Sequence, residues 1–71
     1  MTKLGAVVAA AWALGTAQLI RLEGEGDDQV YVWDIGWHEI VRLTHEDVRR
    51  WPDGRAIIVK ELYRWRRRKI L

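Results

Sequence analysis

The sequence predicts an α+β domain: an apolar N-terminal helix over residues 1–20, then a small β-rich unit over residues 21–71. That unit holds four short antiparallel strands, a helical turn, and an Arg-rich helix or tail from about residue 61. Three observations lead there. Leu4–Ile20 runs seventeen residues without a charge. From Gln18 to Leu43 the pattern turns to short alternating and β-branched runs. Nine basic residues then gather between Val48 and the C-terminus.

Read as a helix, Leu4–Ile20 is apolar on every face until Thr16 and Gln18. Such a helix asks for cover all round, and residues 21–71 make too thin an interior to give it. A bilayer, the interior of an assembly, or a translocon followed by cleavage would meet that demand. For the third, MTK, Leu4–Leu14 and Gly15-Thr16-Ala17 have the form of a signal segment; the first two are carried forward. At ~1.5 Å per residue the segment is roughly 25 Å long, short of a ~30 Å hydrocarbon core. Small residues at Gly5, Ala9 and Ala13, and at Ala11 and Gly15, recur every four positions and admit close helix approach. Gly5, Ala9, Trp12, Ala13 and Gly15 are therefore the expected helix-packing residues, set against a larger partner. The Arg run further on points to a cytoplasmic C-terminus if the segment spans.

Gln18–Glu23 alternates and reads as a strand, ending in the turn Gly24-Glu25-Gly26-Asp27-Asp28. Gln29–Ile35 is β-branched and aromatic on both faces, a strand covered on each side. Gly36 permits a bulge or sharp bend before a third strand, Trp37–Leu43. Thr44-His45-Glu46-Asp47 fits a capping box and starts a short helix over about Thr44–Arg50. Pro52-Asp53-Gly54 is a turn, Arg55–Lys60 a fourth strand, and Glu61–Leu71 a helix or tail. This order could close as an SH3-like barrel.

Composition narrows the chemistry. Cys, Ser and Asn are absent, which removes disulfides, thiolate metal sites, Cys and Ser nucleophiles and N-glycosylation. His38 and His45 lie seven apart without the H-E-x-x-H spacing of a zinc peptidase helix. Glu23, Glu25 and Asp27 alternate as calcium ligands do, but no closing bidentate Glu follows. The glycines of that loop sit among carboxylates that would repel a phosphate. No catalytic, cofactor or metal residues are assigned, and neither an enzyme nor a small-molecule substrate is expected.

Charge is strongly segregated. Residues 21–47 set two arginines against eight carboxylates, a net of −6; residues 48–71 set nine basic residues against Asp53 and Glu61, a net of +7. In YRWRRRKIL, Arg64, Arg66, Arg67, Arg68 and Lys69 surround Tyr63 and Trp65. Guanidinium forks pair with phosphates, and interleaved aromatics stack on bases or sit among headgroups. Arg64, Trp65, Arg66, Arg67, Arg68 and Lys69 are the expected contacts to phosphate or anionic lipid. Of five tryptophans, Trp12 and Trp65 are expected to reach outside the fold.

The resulting expectation is a non-enzymatic accessory or structural subunit, membrane-associated or part of a particle. Its apolar helix is buried in a membrane or complex and its basic end touches phosphate. Its partners are a larger protein complex or copies of itself, with an anionic membrane surface as a further contact. The alternative is a virion or nucleic-acid-associated protein whose N-terminus lodges between identical subunits.

Overall fold

The computed structural model describes residues 3–70, with the side chains of Lys69 and Ile70 outside that description. The chain is α+β. It runs α1 (Lys3–Ala13), β1 (Gln18–Glu23), a 3₁₀ turn (Gly26–Asp28), β2 (Val30–Asp34), β3 (Ile40–Thr44), α2 (His45–Arg49) and α3 (Gly54–Ile70). The strands form an antiparallel sheet in the order β1-β2-β3.

One sheet face carries the core. Leu19 pairs with Trp33 and Trp33 with Val41, while Tyr31 lies between Leu22 and Leu43. Onto this face α1 places Val8, and α3 places Ile57 and Ile58, with Trp51 beside them. Trp33 and Trp51 meet edge to face at 6.4 Å, a favoured geometry for indole pairs. The opposite face is an ionic net. Arg21 and Arg42 flank Val32 across the sheet, and Glu23 reaches both, at 3.6 and 2.9 Å. Val32 is fully buried beneath them, so the long side chains serve as cover more than as salt bridges, which are weak at a surface.

The apolar N-terminal segment is not one helix. It divides at Gly15, and the expected helix to Ile20 is corrected. Gly15 adopts φ 79°, Thr16 N–H donates to Ala11 O at 2.9 Å, and Gly15 N–H to Trp12 O at 3.0 Å. These are the two bonds of a Schellman cap, reinforced by Thr16 Oγ1 donating to Ala11 O. What remains is eleven residues, roughly 16 Å of helix, and Gln18–Ile20 goes to β1. No helix among the described residues is long and apolar enough to cross a membrane.

The fourth strand is also corrected. Arg55–Lys60 lies inside α3, and an open three-stranded sheet cannot close as an SH3-like barrel. The β-branched Ile57-Ile58-Val59 run suggests a strand when read alone. Over a longer window, Gly54, Ile57, Ile58, Glu61, Leu62, Trp65 and Arg68 recur at three- and four-residue spacing, the period of a helix with one face on a core. By contrast α2 forms where the capping box sits. Thr44 Oγ1 accepts from Asp47 N–H, and Asp47 accepts from Thr44 N–H.

Candidate functional site

Two parts of the molecule carry groups that the fold leaves unused. The first is the outward face of α3. Its inward face is fully engaged: Glu61, 2% exposed, accepts from Trp12 Nε1 at 3.3 Å and Arg64 at 3.0 Å. Trp65 Nε1 donates to Ile20 O at 3.2 Å, and Arg68 donates to Leu19 O at 2.8 Å. The β1–β2 register slips between Leu19 and Arg21. This bulge breaks strand alternation, so two successive carbonyls of edge strand β1 can meet donors from α3.

On the other side of α3, Arg55, Lys60, Arg66 and Arg67 are exposed and form no ion pair among the described residues. Val59 and Tyr63 lie between them, 61% and 65% exposed. The Arg67 guanidinium stands 5.8 Å from the Tyr63 ring centre, within cation–π range. Asp53 comes before the helix and Glu61 is turned inward, so this face bears no carboxylate.

The expected phosphate-contact set therefore divides. Arg66 and Arg67 form no ion pair among the described residues, whereas Arg64, Trp65 and Arg68 bind groups within the molecule; the Lys69 side chain lies outside the described residues. Arg55, Lys60 and Val59 were missed. The four-residue spacing Arg55, Val59, Tyr63, Arg67 finds two of them, and Lys60 joins that outward face beside Val59 once α3 is read as one helix.

The helix-packing set divides too. Gly5 is buried, and Ala9 and Trp12 lie half-buried on the core. Ala13 and Gly15 are exposed, Gly15 because it forms the helix cap. The partner of the small residues is this domain's own sheet layer. Trp12 and Trp65 face inward, contrary to expectation.

The exposed tryptophan is instead Trp37, at 98%, in the second part. Glu39 N–H donates to Gly36 O at 3.0 Å, closing a turn whose central residues, Trp37 and His38, have φ 57° and 61°. This is the type I′ hairpin position where Asn-Gly is preferred. A bulky side chain there is strained, by about 1–3 kcal/mol per residue. Gly36 has φ 104°, a Cβ there would lie 3.5 Å from Thr16 Cβ, and Asp34 Oδ1 accepts its N–H at 2.8 Å.

An open groove of about 550 Å³ lies between α2 and α3, floored by Tyr31, Trp51, Ile58 and Leu62, with Arg49 and Arg55 at its rim. His45 lines it, tilted against Tyr31 at 5.6 Å. The lining holds one imidazole and no carboxylate among the described residues. No family model, curated protein or solved structure matches this chain, and the functional reading rests on the chemistry of these surfaces.

Proposed function

We propose that the chain is a non-enzymatic accessory module that joins a larger assembly and contacts phosphate through the outward face of α3. The observation that carries this is the row Arg55, Lys60, Arg66 and Arg67, which forms no ion pair among the described residues, beside exposed Tyr63. Cations left without partners keep their full field for a polyanion, and Arg forks suit phosphate. The groove without a carboxylate supports a binding role over catalysis. The assembly contact is the outer face of α1, where Leu4 and Val7 remain 45% and 37% exposed.

The same row supports a second reading, a nucleic-acid-associated particle protein, since Tyr63 with Arg67 above it is a stacking platform. Binding of the full chain to a duplex oligonucleotide and to anionic vesicles over a salt series tests the shared chemistry. Four phosphate contacts give a log–log salt slope of about −3 to −4 on duplex DNA. Replacing Arg55, Lys60, Arg66 and Arg67 together by Ala should flatten that slope and weaken binding to either anion. Affinity that ignores both salt and this variant rejects the proposal.

A further inference from the structure

The strained hairpin tip, the cap of α1 and the end of α3 lie at one end of the sheet. A Cβ placed on Gly36 would lie 3.5 Å from Thr16 Cβ, so the two residues are near neighbours, with Trp37 one residue after Gly36 and Leu14 two before Thr16. Gln18 pairs with Asp34, and next along β1 the Leu19 carbonyl holds Arg68 at the end of α3. Trp37 and Leu14 are the two most exposed large hydrophobic side chains described, at 98% and 80%. Arg66 and Arg67, which form no ion pair among the described residues, stand within two residues of Arg68. The acidic turn Gly24–Asp28 follows Glu23, which pairs with Val30 at the opposite end.

We propose that this end is a membrane-surface anchor: Trp37 and Leu14 enter the interfacial layer while Arg66 and Arg67 hold anionic lipid headgroups. The proposal rests on the phosphate reading above and names its source. Indole is favoured at the bilayer interface, with its ring in the apolar layer and its N–H among headgroups. Leu14 has its complement in acyl chains and none in a phosphodiester backbone. Asp34 and Glu39 flank the tip, so it lacks the cationic track that a base-stacking platform needs. The turn conformation holds the indole clear of the fold, a use that accounts for a bulky residue where Asn-Gly would be relaxed.

The test is co-sedimentation of the full chain with vesicles of phosphatidylserine and phosphatidylcholine, with phosphatidylcholine alone, and with an oligonucleotide in parallel. The chain should partition to the anionic vesicles, and lipids brominated on the acyl chain should quench its Trp emission. Trp37→Asn should lower the partition coefficient roughly tenfold or more and remove the quenching. Arg66→Ala with Arg67→Ala should lower it by roughly thirtyfold. Leu14→Gln should weaken it further when added to Trp37→Asn. Unfolding curves of each variant confirm that it is folded, since none of these side chains belongs to the core. Vesicle binding unchanged by Trp37→Asn overturns the anchor. Oligonucleotide binding without vesicle binding overturns the anchor and leaves the phosphate reading standing. Binding to neither anion removes both.

Discussion

At the residue scale, Trp37 and His38 occupy a turn that their own backbones oppose. Both have positive φ, and the Trp37 side chain, 98% exposed, gains almost nothing from the fold in return. Replacing the pair by Asn-Gly should raise stability by about 1–3 kcal/mol, read as a higher Tm. An unchanged or lower Tm would show the turn to be unstrained. Gly54, the first residue of α3, gives a less obvious sign. Helix propensity favours Ala over Gly by up to about 1 kcal/mol. A Cβ at Gly54, however, would meet the Trp51 ring at 2.8 Å, and Trp51, 3% exposed, has nowhere to retreat. Overpacking of this kind costs about 1–3 kcal/mol, so Gly54→Ala should destabilise in denaturant titration; a gain would show that Trp51 can move. Glu61 makes a third case. Its Arg64 partner is 64% exposed and can return to water, so the loss on Glu61→Ala is chiefly the orphaned Trp12 N–H, about 1–3 kcal/mol. Glu61→Gln keeps an acceptor for Trp12 and should cost clearly less.

At the element scale, α1 shows how far the sequence was legible. That Leu4–Ile20 needs cover could be read from its lack of charge. Where it breaks could be read as well, because Gly15 followed by Thr16 is a C-cap signature. An unbroken apolar run hides that signature when hydropathy alone is followed. What could not be read is how the cover is shared. Gly5, Val8 and Ala11 are buried on the sheet layer, and Leu4, Val7 and Leu14 stay out, a division set by tertiary packing. Strand Gln18–Glu23 and the Thr44 cap were legible because alternation and capping are local. The helix at Arg55–Lys60 was not, since two adjacent isoleucines look like a strand until the four-residue recurrence to Glu61 and Trp65 is followed. The same limit hid Arg55 and Lys60 from the candidate site, and Trp37 was missed because a turn of this type seldom holds Trp. Two outcomes follow for α1. Deleting residues 1–17 should unfold the domain, because Val8 and Ala11 leave the core. Leu4→Gln and Val7→Gln together should keep the unfolding midpoint and reduce self-association in sedimentation velocity. Unaltered association would place the assembly contact elsewhere.

At the scale of the whole molecule, the radius of gyration is 11.3 Å, against about 11 Å for a compact chain of this length. A projecting helix would raise it, so α1 is a layer of the domain and not a rod beside it. Compactness at this size leaves a thin margin, since small domains hide a modest share of their surface. The Glu61 bonds from α1 and α3, and the Trp65 and Arg68 bonds to β1, therefore matter more than they would in a larger protein. The charge separation seen along the chain persists in space, with the acidic turn at one end of the sheet and the cations of late α3 at the other. Such a molecule orients in the field of a polyanion before it touches it.

All of this depends on α1 folding as part of the domain, with no partner present. Native-state hydrogen exchange on the isolated full chain in dilute buffer tests that directly. The Val8–Trp12 amides should exchange only as slowly as those of Tyr31–Trp33, through shared global opening. Exchange at Val8–Trp12 that is orders of magnitude faster, slowing only when vesicles or another binding partner are added, would contradict it.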